Sequence, residues 1–241
     1  MSKSALIKSS VAKKYWMAAS GLFLCLFLTG HLAGNLQLFD LSEAGRLRFN
    51  EYALFMTTNP AVKLLSYLTY FSILFHAVDG LLLTIQNRKA RPVKYAMKHD
   101  AKNSLWASRN MGILGTIILV FIVIHMQQFW WRMHFDTSLP MQSLDAEGNA
   151  LDTPIKDLYT VVMDFFSPQQ NDLALVFVIV YLVSMLAIAF HLYHGFQSAF
   201  QSVGINHNKY NPVIRGVGKV YSIVIPALFA AIPVWIFYSF S

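Results

Sequence analysis

A chain of 241 residues that is 56% hydrophobic and only 13% charged, with a mean hydropathy of +0.46, is too apolar for an ordinary soluble domain of its length. The net charge of +7 does not point to nucleic acid, because the basic residues gather in particular loops instead of covering one surface. With Cys25 as the one cysteine there is no internal disulfide and no thiolate cluster, and without a Cys-x-x-Cys-His any haem would be non-covalent and b-type.

In chain order, residues 1–14 are a basic arm (Lys3, Lys8, Lys13, Lys14) ahead of an apolar stretch from about Tyr15 to Leu38. That stretch is long and is followed by no clean small-residue cleavage site, so it reads as a retained first helix and not as a signal peptide. The connection Phe39–Pro60 carries Asp40, Glu43, Arg46, Arg48 and Glu51, and its Arg46–Met56 part suits a short interfacial helix. A second span covers about Ala61 to Gln86. The loop Asn87–Arg109 then holds Arg88, Lys89, Arg91, Lys94, Lys98, Lys102 and Arg109 against one acid, Asp100. A third span covers about Asn110 to Met133. The loop Asp136–Asp172 is acidic, with Lys156 as its one lysine. The fourth span is about Leu173 to Val203, and after a basic turn with Lys209, Arg215 and Lys219 the fifth is about Val220 to Phe240. Each has roughly the twenty apolar residues that a bilayer crossing needs. The expected fold is therefore an all-α integral membrane protein, one membrane domain of five transmembrane helices in a bundle.

The arm, the second loop and the fourth loop hold 14 of the 19 Lys and Arg, whereas the first and third loops with their flanks hold ten of the 12 acids. Positive residues stay on the cytoplasmic side, which sets the N-terminus inside and, after five spans, the C-terminus outside.

Ionisable groups within a hydrocarbon span are costly and mark function by default. Here His31, His76, His125 and His191 fall one on each of the first four helices. At about 1.5 Å per residue, His31 and His125 reach similar depths in the outer half, and His76 and His191 similar depths in the inner half. Four histidines in two level pairs are most simply used by two bis-histidine haems. One intramembrane histidine alone would serve equally well as a packing residue or in a proton path; four on four helices favour haem. The pattern His-x-x-x-Gly, in His76 with Gly80 and His191 with Gly195, places a position without a side chain one turn along the same face, where a planar group can approach. His99, His134 and His207 fall in loops or at span ends and read as solvated or headgroup-facing.

These residues resemble the cytochrome b subunit of succinate:quinone oxidoreductases, including fumarate reductases, of the single-chain, di-haem, five-helix type. The likeness lies in Gly30-His31-Leu32 followed by Phe49-Asn50-Glu51, in His76 with Gly80-Leu81, in His125-Met126-Gln127-Gln128, and in His191 with Gly195-Phe196. The resemblance implies that His76 and His191 ligate the iron of a proximal haem b and His31 and His125 that of a distal one. It also implies a flavoprotein subunit and an iron–sulfur subunit on the cytoplasmic face, electron transfer to or from a membrane quinone, with menaquinone expected, and a bacterial inner membrane. No dicarboxylate site is expected on this chain, which has neither a dinucleotide glycine fingerprint nor thiolate clusters.

On the fourth helix the glycine offset favours His191 over His194. His194 and Asp79 stand three residues beyond the two inner ligands, and are expected either to interact with each other or a proximal propionate, or simply to face the cytoplasmic interface. Arg132, two turns after His125, would hold a distal propionate or snorkel to the interface. For quinone chemistry an outer site would use Glu51 as the proton-handling acid; an inner site would draw on Tyr15, Trp16, Ser20, Arg109 and Asp79. Two other readings stand beside this one. Another di-haem cytochrome, such as a nitrate reductase membrane subunit, concentrates its ligands on two helices. A haem-free transporter would use the histidines and Asp79 as a proton relay, and predicts broken helices and repeated halves.

Overall fold

The computed structural model describes residues 10–89 and 106–241. Lys3 and Lys8 of the basic arm, and Arg91, Lys94, Lys98, His99, Asp100 and Lys102 of the second loop, lie outside the described residues. Of the described residues 80% are helical, and five helices among them are long and apolar enough to span a membrane, the make-up of a multi-pass, all-α membrane protein.

Helix α1 covers Ser10–Asn35 and runs on through a 3₁₀ turn, Leu36–Phe39. Helix α2, Glu43–Thr58, is capped by Ser42, whose hydroxyl accepts from the Gly45 N–H at 3.1 Å. It is the helix expected in the first connection, longer at both ends. Asn59 ends α2 and opens α3, Pro60–Lys89: its side-chain oxygen accepts from the Ala61 N–H at 2.9 Å, and Pro60 takes the first helical position, where a missing N–H costs nothing. Helix α4, Met111–His125, continues through a π-helical stretch, Met126–Trp131, and a last turn, Arg132–Phe135.

The acidic third loop is more ordered than a plain connection. It forms an antiparallel hairpin of β1, Met141–Leu144, and β2, Ala150–Lys156, turned at Gly148 with φ +85°, and then the amphipathic helix α5, Leu158–Phe166. Helix α6, Ala174–Ser202, stops at Gly204 (φ +92°) with the paired bonds of a Schellman motif, Ile205 N–H to the Phe200 carbonyl at 2.9 Å and Gly204 N–H to the Gln201 carbonyl at 3.2 Å. Helix α7, Asn211–Ser239, begins at the basic turn, well before Val220, and stays helical through Pro226 and Pro233.

The chain divides into two compact units, each built from parts of several helices. One comprises the described residues of Met1–Leu28, Leu68–Leu119 and Leu186–Ile225; the other comprises Thr29–Tyr67, Val120–Met185 and Pro226–Ser241. In the first unit small residues let helices approach closely. A Cβ on Gly112 would meet Thr84 Cγ2 at 3.1 Å, and one on Gly218 would meet the Phe196 ring at 2.7 Å. The Tyr221 hydroxyl ties α7 to α1 by donating to the Cys25 carbonyl at 2.6 Å.

In the second unit a buried polar network fastens α2 to the hairpin and α5. Asn50, fully buried, donates through Nδ2 to Gln142 Oε1 at 2.8 Å and to Asp157 Oδ1 at 2.7 Å, and accepts the Tyr159 N–H at 2.9 Å. Asp157 caps α5 and receives Arg46 Nε at 2.9 Å and the Thr160 hydroxyl at 2.7 Å. Burial alone would raise the Asp157 carboxyl, but these donors outweigh it and hold it below the usual carboxylate range.

Candidate functional site

Two histidine pairs, one in each unit, are the candidate site. In the second unit α1 supplies His31 and the end of α4 supplies His125, with ring centroids 5.9 Å apart at 85°. Aromatic rings enclose them: Phe229 lies 5.6 Å from His31, and Phe121 is stacked at 5.6 Å on His125, which also meets Phe129 at 5.4 Å and Tyr181 at 6.0 Å. A Cβ on Gly30, beside His31, would meet nothing within 4 Å. In the first unit α3 supplies His76 and α6 supplies His191, with centroids 6.0 Å apart at 63°. Glycines stand against these rings: a Cβ on Gly21 would meet His76 Cε1 at 3.1 Å, one on Gly115 His191 Cε1 at 3.9 Å, and one on Gly195 His191 Cδ2 at 4.0 Å. By contrast the nearest atom to a Cβ on Gly80 is Met17 Cε at 3.5 Å, so that glycine borders α1.

The polar atoms of the four rings are unequal. His76 Nδ1 is 3.2 Å from the Ser20 hydroxyl, and His125 Nδ1 is 3.1 Å from the Tyr181 hydroxyl. His31 Nδ1 lies 3.5 Å from Asn35 Nδ2, an amide that donates to the His31 carbonyl at 2.7 Å. His191 Nδ1 is buried with no hydrogen-bond partner among the described residues. An orphaned buried nitrogen is costly and asks for an explanation.

Two imidazoles bonded to opposite sides of one metal ion at about 2.0–2.1 Å would have centroids about 6 Å apart. Both pairs stand at that separation, which is also ordinary for edge-to-face ring packing. Among the described residues no three His, Cys, Asp or Glu side chains form a metal-binding group. Two nitrogens per pair suit a haem, whose macrocycle supplies the equatorial ligands.

Comparison with protein-family models, curated proteins and solved structures gives no match.

The other expected residues are spread. Asp79 is 8% exposed on α3 and His194 is half-buried on α6, and no hydrogen bond or ion pair joins them among the described residues. Arg132 donates to Asp136 Oδ2 at 3.2 Å, one turn on. Glu51 is exposed on α2. Tyr15 and Trp16 are exposed on α1 and meet edge to face at 6.0 Å, and Arg109 ends the single turn Trp106–Arg109. His134 stacks on Trp130 at 4.6 Å, and His207 lies against Tyr210 at 5.9 Å.

Sequence reasoning did not find Tyr181, Gly21 or Gly115 at the site. Tyr181 carries a weak signal, a phenol within a hydrocarbon span, whose hydroxyl must find a partner there. The two glycines touch rings on other helices, and spacing within one helix cannot reveal that.

Proposed function

We propose that this chain is the membrane-anchor, di-haem cytochrome b subunit of a succinate dehydrogenase or fumarate reductase, carrying electrons between an iron–sulfur subunit and a membrane quinone, with menaquinone the expected species. The observation that carries the proposal is the facing of four intramembrane histidines in two pairs, each at the spacing of bis-imidazole ligation. His31 and His125 would hold one haem b and His76 and His191 the other, and the bound haems supply one-electron chemistry. The apolar helices lower the local dielectric, and aromatic rings pack against His31 and His125.

The charge split supports a cytoplasmic N-terminus in a bacterial inner membrane, with the flavoprotein and iron–sulfur subunits docked on the basic face and lipid around the spans. In this topology Glu51, exposed on α2 in the first connection, would be the acid that exchanges protons with a quinone at an outer site. Among the described residues His194 and Arg132 would be donors to haem propionates, with Asp79 as the acid expected near the proximal one.

The test is purification of the tagged chain from native membranes in mild detergent. Co-purification with a flavoprotein and an iron–sulfur protein, and succinate-dependent reduction of a naphthoquinone or benzoquinone by that complex, is the expected result. A chain that purifies without either partner and supports no quinone-linked succinate oxidation would overturn the assignment.

A further inference from the structure

Two of the four histidines, His76 and His125, each face a hydroxyl whose own hydrogen is given elsewhere. The Ser20 hydroxyl donates its hydrogen to the Met17 carbonyl at 3.1 Å and stands 3.2 Å from His76 Nδ1. A hydroxyl has one hydrogen to give. With that hydrogen committed to a carbonyl, Ser20 can only accept from the imidazole, so Nδ1 carries the ring proton and Nε2 carries the lone pair.

The second unit repeats the device with different parts. The Tyr181 hydroxyl donates to Gln128 Oε1 at 3.0 Å and stands 3.1 Å from His125 Nδ1. The same count leaves Nδ1–H as the donor on His125 and Nε2 as its free base. Gln128 lies within the π-helical stretch Met126–Trp131 that follows His125 directly, and such wide turns recur at functional sites. Across from His76, His191 Nδ1 has no hydrogen-bond partner among the described residues, and across from His125 the Asn35 amide, which has two hydrogens, donates to the His31 carbonyl and stands 3.5 Å from His31 Nδ1.

We propose that Ser20, and Tyr181 together with Gln128, are positioning residues that fix His76 and His125 in the tautomer presenting Nε2 to haem iron, each as an anchored, more basic imidazole. The proposal rests on the reading of the four histidines as haem ligands. A ring N–H given to an acceptor strengthens the imidazole as a donor, which favours ferric over ferrous iron and lowers the potential. Removing an acceptor therefore raises the potential of its own centre and leaves the other unchanged.

The experiment is a redox titration of the purified complex, followed optically and by low-temperature EPR, with haem content measured first. Tyr181→Phe is expected to keep both haems and raise one component by about 59 mV, the equivalent of a tenfold change in a one-electron equilibrium. Ser20→Ala is expected to raise the other component, and Ser20→Thr to restore it by returning the hydroxyl. Should Tyr181→Phe lose its haem, Gln128→Leu, which removes the acceptor and leaves the phenol in place, is expected to move the same component. Two haems with unchanged potentials in all of these variants, or one component moving in both Tyr181→Phe and Ser20→Ala, would overturn the relays while the haem assignment stands. A wild-type complex without haem would overturn both.

Discussion

Asn50 and Asp157 are joined by a 2.7 Å hydrogen bond within the second unit, both side chains fully out of water, and through them α2 is fastened to the cap formed by the hairpin and α5. Asn50→Ala leaves Gln142 Oε1, Asp157 Oδ1 and the Tyr159 N–H each short of a partner. The expected loss is roughly 2–4 kcal/mol of stability. Thermal unfolding in detergent, with hydrogen exchange over residues 141–166, measures it; a variant as stable as wild type, with the cap equally protected, would contradict this role.

The same network predicts the acid limb of stability. The folded Asp157 carboxyl lies below its ordinary value, so its contribution is complete above the unfolded value of about 3.9 and is lost as pH falls through the folded one. Asp157→Asn is therefore expected to flatten the loss of stability below about pH 4, while lowering stability at neutral pH because Arg46 loses its buried carboxylate partner and is left with the exposed Glu43. Melting temperatures across pH 2–7 for both proteins check the slope.

Gly21 is the tightest glycine at either histidine pair, its Cβ position 3.1 Å from His76 Cε1. Gly21→Leu is expected to displace the His76 ring and remove one haem of two, with the His31 and His125 centre retained. Haem stoichiometry and the number of components in a redox titration report it, and retention of both haems with unshifted potentials would contradict the packing.

Glu51→Gln removes an exposed acid without disturbing the buried network of its helix neighbour Asn50. If Glu51 handles quinone protons, quinone-linked turnover falls by about a hundredfold with haem content and spectrum intact. Unchanged turnover would move the proton-handling group elsewhere.

The five spans were legible because a bilayer demands long apolar runs, a signal that needs no knowledge of tertiary contacts. Histidines in those runs stood out for the same reason, and in the structure the rings of His31 and His125 lie together, as do those of His76 and His191. The cap was not legible. The strands Met141–Leu144 and Ala150–Lys156 are short and mostly exposed, and what orders them is a partner far away in sequence, Asn50, which reads as an ordinary polar residue of an interfacial helix. The start of α7 was missed because Asn211, Arg215 and Lys219 are polar; a helix can leave the apolar layer, and hydropathy cannot follow it there. Gly21 and Tyr181 belong to the pairs through contacts between helices, which periodicity along one helix does not encode.

Whether the four histidines hold two haems is read from haem b per copy of this chain, by pyridine haemochrome, in the purified complex and in His31→Ala and His191→Ala. Two haems are expected in the wild type and one in each variant, with a different component of the redox titration missing from each. A wild-type complex with no haem, or two variants that lose the same component, would contradict the four-histidine ligation.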